Sequence, residues 1–252
     1  HYAIFDTAFF AHLPEEAYTY AIDRTVAKEL SIRRYGFHGT SHNFVSHRMA
    51  HFLGRHHDEL KMIVCHLGNG ASVSAIAGGK PIETSMGLTP LQGLVMGTRT
   101  GDIDPGVVAY LNRSGMSVPD IDNLLNKKSG MLGLCGKNDF RDIGAAVAAG
   151  DADAKLAFDV YIHRLVFYIG GYMALRGGLD PPGFTAGVGE NDATVRAAVC
   201  ERLHTLGFHL DAPRNELRTG RPHIISTADS PVPICVVPTN EELQLAREVK
   251  AA

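Results

Sequence analysis

The chain has 252 residues, 45% of them hydrophobic and 20% charged, with a formal net charge of −3 at pH 7. That length allows one large domain or two small ones with an ample core, and the slight acidity argues against a nucleic-acid binder, which needs a basic stripe. Four scattered cysteines, Cys65, Cys135, Cys200 and Cys235, form no CxxC pair and read as reduced, mostly buried thiols of a cytoplasmic protein.

No signal peptide is visible, and no apolar run is long enough to span a bilayer. The nearest, Val160 to Leu175, is broken by His163, Arg164 and two glycines. Low-complexity segments and internal repeats are absent. The first residue is His1, not methionine, and Tyr2 to Phe5 already reads as a strand. The chain is therefore expected to begin inside a longer protein.

Asp6 follows that first strand, a common place for a metal or substrate contact in α/β folds, although a turn cap with Thr7 is the plainer reading. Pro14-Glu15-Glu16 has the composition of a helix first turn, and a second short helix is expected over Thr25 to Leu30. In Arg33 to His42, Gly36 and Gly39 bracket Phe37 and His38, which puts His38 on a tight, exposed bend. Ser41 is then expected to cap a helix running to about Phe52. His47 and His51 share a face of that helix at metal-ligand spacing. With no HExxH and no carboxylate or cysteine in the helix, its histidines, His42 included, read as solvated surface groups.

Met62 to Leu67 is a short, β-branched apolar run and reads as a buried strand. Gly68-Asn69-Gly70 breaks it, Ala71 to Ala77 reads as a second strand, Gly78-Gly79 signals a hairpin, and Lys80 to Thr84 is the return strand. A turn almost without side chains exposes backbone N–H groups that can hold a phosphate, although such a turn taken alone is more often only a turn. Further on, Gly97 to Pro105 packs Arg99, Asp102 and Asp104 among glycines. An Arg on such a loop can reach a phosphoryl or carboxylate group with its planar fork, and the neighbouring acids could hold that Arg or approach a metal.

Helices are expected over Gly106 to Asn112 and Val118 to Leu125, with a polar break at Asn126 to Gly130. An Ala-rich helix follows Asn138 to Ile143; here Asp139 reads as a cap and Arg141 as a surface charge. Asp151 to Arg176 is the clearest helix, with Leu156, Val160, Leu165, Ile169, Tyr172 and Met173 at helical spacing and Gly177-Gly178 as its stop. Gly183 to Ala186 reads as a strand. Gly187 to Asn191 reads as a glycine turn leading into a helix near Asp192, which lets a nucleotide approach the backbone. The third glycine of a dinucleotide fingerprint is missing. Pro233 to Val237 reads as a strand, and Thr239 with Glu242 as a capping box for a last helix whose apolar face carries Leu243, Ala246 and Val249.

RRYGFHGTSH, HLGNGASVSAI, TSMGLTPLQGLVMGTRTGDIDP and FTAGVGEN together resemble the acetate kinase family, from Phe5 to about Arg247. The resemblance implies an α/β, actin-like ATPase (ribonuclease H-like) fold with a mixed sheet flanked by helices. Residues 1–238 would form the C-terminal nucleotide-binding domain, and 239–252 a helix that packs on an N-terminal domain not matched here. FDTAF carries over Asp6 as an active-site acid that helps hold Mg²⁺ (or Mn²⁺), and Glu241 of the NEE motif as a second metal-associated acid. Phe10 departs from the pattern, which often has His there. His38 becomes a transition-state stabiliser, Arg99 the catalytic arginine, and Phe37 and Pro90 the pocket for the substrate methyl group. Asn69 and Gly70 match the phosphate-side turn. His66 matches an active-site position, with a buried strand histidine as the alternative. Asp139, Phe140, Arg141, Gly187, Val188 and Asn191 match adenosine contacts.

The implied activity is a phosphotransferase with a carboxyl group as acceptor: ATP plus acetate giving ADP plus acetyl phosphate, reversibly, by direct in-line transfer in a homodimeric cytoplasmic enzyme with no nucleic-acid or membrane partner. The sequence has no Walker A motif and no kinase HRD or DFG set. A propionate or butyrate kinase would share these motifs, since a methylene changes binding by only about 1–3 kcal/mol. A nucleotide-binding module without turnover is a second alternative. A structural relative from the actin and Hsp70 group is a third, against which Phe37 and Pro90 argue.

Overall fold

The computed structural model describes residues 2–175, 177 and 180–251. Six strands form one mixed sheet: β1 (Lys61–Leu67), β2 (Ala71–Ala77), β3 (Lys80–Thr84), β4 (Pro182–Thr185), β5 (His223–Ile224) and β6 (Cys235–Val236), in the spatial order β3-β2-β1-β4-β6-β5. The β1-β2-β3 meander is antiparallel, β4 and β6 add in parallel to β1, and β5 closes the far edge antiparallel to β6. β2 and β3 have the bounds their sequence predicts. Gly78 and Gly79 both have positive φ, 56° and 75°, as a two-residue hairpin turn of this hand requires.

Twelve α-helices surround the sheet among the described residues: α1 (Glu15–Tyr18), α2 (Arg24–Glu29), α3 (Gly39–Phe52), α4 (Pro105–Arg113), α5 (Val118–Lys127), α6 (Gly130–Cys135), α7 (Phe140–Ala148), α8 (Ala152–Leu175), α9 (Ala186–Asn191), α10 (Ala193–Arg202), α11 (Ala212–Asn215) and α12 (Glu241–Ala251). Side chains along β1 alternate between two cores, as strand geometry demands. Ile63, Cys65 and Leu67 pack with Tyr161, Ile162, Leu165 and Ile169 of α8. Met62 and Val64 pack with Phe44, Val45 and Met49 of α3. The sheet is thus covered on both faces, which explains why β1 reads as a continuous apolar run. This is the mixed α/β architecture expected of an actin-like ATPase domain.

Several local expectations are corrected. Tyr2 to Phe5 is not a strand; no strand pairs with it among the described residues, and Tyr2 and Phe5 are 64% and 70% exposed. Leu156 does not belong to the buried stripe of α8: it is 57% exposed, and the small Ala154 and Ala157 pack in its place. The predicted end of α8 at Arg176 and the Gly178 of its stop signal lie outside the described residues; Gly177 has φ +59°. Gly187 to Asn191 is itself helical and forms α9, while Asp192 caps the following α10 through Val195 N–H. The strand before it ends at Thr185, because Ala186 turns left-handed with φ +65°. The predicted strand at Pro233 to Val237 is only Cys235–Val236, and both β5 and the short α6 lie in stretches that carried no clear periodicity.

Helix α12 starts from Asn240, not Thr239: Asn240 Oδ1 accepts the N–H of Leu243 over 2.9 Å. The Thr239 hydroxyl is engaged elsewhere, with Ser41 Oγ at 2.9 Å. Ser41 in turn does not cap α3, which begins at Gly39 after a left-handed His38. α12 leans on α3, with the Arg247 guanidinium 5.6 Å from the Phe44 ring centroid. Leu243, Leu245 and Val249 remain exposed at 41%, 38% and 40%.

Candidate functional site

The site is assembled at the ends of β1 and β4 and the start of α3. Asp6 delivers its chain to the first turn of α3. Its Oδ2 accepts His38 N–H at 2.6 Å, its Oδ1 accepts Thr40 N–H at 3.4 Å, and its carbonyl accepts Gly39 N–H at 2.9 Å. Three orphan donors of the helix end are satisfied by one residue from a distant segment. Gly39 is required for this approach, since a Cβ there would stand 2.2 Å from the Asp6 carbonyl oxygen. His38 does sit on a tight bend, with φ +59°, but it is half-buried instead of exposed.

The His38 ring stacks on His66, 4.1 Å between centroids and 20° between planes. Burial, chiefly, lowers the pKa of His38; the Asp6 charge opposes this and the Arg99 charge adds to it. His66 is buried and held at about 3 by the same desolvation and by His38, and its Nδ1 meets Ser41 Oγ at 2.8 Å. The histidines of α3 are therefore not all surface groups. His42 is fully buried behind His38, bonded to Ser72 and Ser74, whereas His47 and His51 are exposed.

The Gly68-Asn69-Gly70 turn stands between two halves of the site. On one side, a Cβ built on Gly70 would lie 3.4 Å from Nε2 of His38 and 3.5 Å from Nη1 of Arg99. Arg99 is half-buried, and its Nη1 donates to the Pro90 carbonyl at 3.1 Å. Its loop is fastened by the start of α6: Met131 N–H reaches Met96 O and Leu132 N–H reaches Gly97 O, both at 2.9 Å. Neither nearby acid holds Arg99. Asp102 accepts from Tyr168 Oη at 2.7 Å and from Gly93 N–H at 3.1 Å, and Asp104 caps α4 through Gly106 N–H at 2.8 Å. Phe37 packs at the margin of the core beneath this half.

On the other side of the turn lies a cavity of about 600 Å³. It brings together Asn69, Asp139, Phe140, Arg141, Gly187, Val188 and Asn191, seven residues drawn from three separate stretches. Gly70 and His66 do not line it; they belong to the His38 side. Asp139 and Arg141 pair with each other: Asp139 caps α7 through Arg141 N–H at 2.8 Å, and the guanidinium beside it holds its carboxyl down at about 2. The Phe140 ring is mostly buried, edge-on to Tyr161 at 4.7 Å.

Gly68, expected only as part of the phosphate turn, also lines the cavity, and sequence reasoning missed Asn138, Asp192 and Arg218 on its wall. The first two adjoin residues already singled out. Arg218, in a polar stretch, carried no signal; its Nη2 donates to Asn191 O at 3.4 Å. Glu190 was also missed. Its Oε1 gathers Ala186 N–H at 2.8 Å, Thr239 N–H at 3.1 Å and Thr185 Oγ1 at 3.4 Å, and so ties the β4–α9 elbow to the start of α12. Glu241 stands at that start. Burial and then the charge of Asp6 raise its pKa, and among the described residues no group of three or more His, Cys, Asp or Glu side chains forms a ready-made metal cage. Carboxylate oxygens are the donors that a hard divalent cation takes.

A mixed sheet covered by helices on both faces, with a glycine turn and a cavity at its strand ends, is an α/β fold consistent with the actin-like class. A sequence profile of the Acetokinase family matches residues 1–247, and the chain belongs to that family. An acetate kinase from Leifsonia xyli is 56% identical over all of this chain and 64% of its own length, and one from Oleidesulfovibrio alaskensis is 50% identical over 97% and 61%. The crystal structure of an acetate kinase from Porphyromonas gingivalis superposes with a TM-score of 0.95 at 44% identity, covering 98% of this chain and 63% of that one. A propionate kinase from Francisella tularensis superposes at 0.91 with 45% identity, covering 97% and 62%. The chain thus spans less than two thirds of the length of these relatives.

Proposed function

We propose that this chain is the nucleotide-binding part of an acetate kinase, a phosphotransferase that moves the terminal phosphoryl group of ATP to acetate and back. The observation that carries the reading is the meeting of His38 Nε2 and Arg99 Nη1 over Gly70, beside the cavity that contains the adenosine-type residues. In phosphoryl transfer the protein supplies mainly position and charge stabilisation. The nucleotide base occupies the cavity, its phosphates pass over the Gly68–Gly70 turn, and His38 and Arg99 donate to the oxygens of the migrating group. An acetate oxygen forms the new P–O bond as the bond to ADP breaks. Phe37 and Pro90 hold the methyl group, and the Pro90 carbonyl keeps the guanidinium in place. Asp6 and Glu241 would hold Mg²⁺ (or Mn²⁺), which supplies further neutralisation of phosphate charge.

The same reading has residues 1–238 as the nucleotide-binding domain and 239–252 as a helix shared with an N-terminal domain, in a cytoplasmic homodimer. The exposed leucines of α12 support the shared helix, and four free thiols support a reducing compartment. The likeness to a propionate kinase at 45% identity favours one further reading, a preference for the three-carbon acid. A hydroxamate assay with acetate, propionate and butyrate on the full-length protein tests both. Titration calorimetry with ADP tests the cavity: binding without turnover of any acid identifies a nucleotide-binding module instead.

A further inference from the structure

Behind the His38 ring, two hydroxyls and one imidazole stand in single file. Ser74 Oγ is 2.7 Å from Nδ1 of His42, His42 Nε2 is 2.7 Å from Ser72 Oγ, and Ser72 Oγ is 2.9 Å from Nδ1 of His38. Ser72, Ser74 and His42 are all 0% exposed, so the file satisfies its hydrogen bonds internally. Burial, and then the neighbouring His66 and His38, keep His42 neutral at neutral pH, with one ring nitrogen a donor and the other an acceptor.

Ser72 has one proton and faces two imidazole nitrogens. It must donate to one and accept from the other, so the protons along the file can run in only two directions. In the first, Ser74 O–H donates to His42 Nδ1, His42 Nε2–H donates to Ser72, and Ser72 O–H donates to His38 Nδ1. His38 then carries its proton on Nε2, the atom that faces Gly70 beside Arg99 Nη1. In the second, every donor is reversed, and the Ser74 proton has no acceptor, because His42 is the only hydrogen-bond partner of Ser74 Oγ among the described residues. A fully buried hydroxyl proton without an acceptor is disfavoured, which selects the first direction.

We propose that Ser74, His42 and Ser72 form a buried relay that locks His38 in its Nε2–H tautomer, so that the ring presents a hydrogen-bond donor, not a lone pair, to the anionic group at the Gly70 turn. Ser72 and His42 are positioning residues. The relay rests on the kinase reading for its purpose but not for its geometry. A donor fixed before the anion arrives needs no rearrangement during transfer.

The test is ¹⁵N-histidine labelling of the full-length protein at pH 8, with long-range ¹H–¹⁵N spectra and His38 assigned through His38→Gln. The wild type is expected to show His38 protonated at Nε2. Ser72→Ala is expected to give a mixture of tautomers and a ten- to hundredfold lower kcat with little change in KM for the nucleotide. His42→Gln, whose amide still donates to Ser72, is expected to keep the tautomer and most of the activity, and His42→Leu to lose both. Should Ser72→Ala not fold, Ser74→Ala is expected to shift the tautomer in the same sense, by less. A wild-type His38 protonated at Nδ1 overturns the relay, as do folded Ser72→Ala and Ser74→Ala proteins with an unchanged tautomer. A wild type with the Nε2–H tautomer but no phosphoryl transfer overturns the kinase reading and leaves the relay standing.

Discussion

The backbone N–H of His38 donates to Oδ2 of Asp6 over 2.6 Å, so helix α3 is capped by a carboxylate 32 positions upstream. The same carboxylate is one of the two acids proposed to hold the cation. The two roles separate by substitution. Asp6→Ala is expected to cost about 1–2 kcal/mol of stability, the usual loss for a cap, and to abolish metal-dependent activity. Asp6→Asn keeps a cap oxygen, so its urea midpoint should stay near wild type while activity is lost. An Asp6→Asn protein with full Mg²⁺-dependent turnover would remove Asp6 from the metal site.

Arg99 is positioned by one hydrogen bond to the Pro90 carbonyl at 3.1 Å and a 3.6 Å contact with Met96 Sδ. The guanidinium has five donors, so the rest of the fork stays available for an anion. Removing a charge that acts on the migrating group typically lowers kcat by about 10³-fold or more. Arg99→Ala should therefore lose turnover on that scale, and Arg99→Lys should recover little, because an ammonium cannot hold Pro90 and bridge two oxygens. ADP affinity by calorimetry should change less than about threefold, the base being seated across the turn. A kcat unchanged in Arg99→Ala would place the arginine outside the chemistry.

Where the sequence signal was local, it was readable. The double glycine of the hairpin and the β-branched run of β1 work through their own neighbours, and these elements lie where expected. The errors fall where a distant residue decides. Thr239 looks like a cap until Ser41, 198 positions away, takes its hydroxyl. His42 looks like a surface residue until Ser72 and Ser74 of β2 fold over it. Gly187 to Asn191 looks like a turn because two glycines weaken helix propensity, but Glu190 reaches back to the Ala186 N–H and closes a helical turn. The site residues were recognised from long motifs. Composition and spacing alone supported Asp139 only as a cap and Arg141 only as a charge, and those are the contacts the two make with each other.

Gly97 is tested by one methyl group. A Cβ there would stand 1.9 Å from Asn69 Oδ1, and Gly97 N–H also donates to the Asn69 carbonyl at 2.9 Å. Gly97→Ala must swing the Asn69 side chain out of its place beside the cavity, so nucleotide affinity should fall by about tenfold, near 1.4 kcal/mol. Gly144 is the control. It is an exposed glycine within α7 with no atom within 4 Å of a built Cβ. Gly144→Ala should raise stability by about 0.5–1 kcal/mol and leave ADP binding as it was. Calorimetry on both variants, with urea melts, separates a specific collision at the turn from a general effect of adding a methyl group.

Acid stability follows from the buried imidazoles. His38, His42, His57 and His66 all have pKa values below the ordinary 6.5; His57 lies at about 4 and His66 at about 3, burial being the first cause in each case. In the native state His42, His57 and His66 stay neutral well below pH 6.5, and His38 does so to a lesser extent, while in the unfolded chain all four take up protons. Stability rises with pH wherever the unfolded state binds more protons. Their contribution is therefore fully present above pH 6.5 and is lost progressively as pH falls through 5 toward the folded values. Each buried ring gives a slope of about 1.4 kcal/mol per pH unit in that window. His57, only half-buried, gives less because solvent screens it. Urea unfolding at pH 7.0, 6.0 and 5.0 should show a steep decline that begins before the carboxylates titrate, with a proton uptake on unfolding of roughly three. His42→Gln should remove one of those protons and flatten the decline. A stability that stays level from pH 7 to 5 would mean that these rings are charged in the folded protein, and the neutral cluster behind His38 would then be wrong.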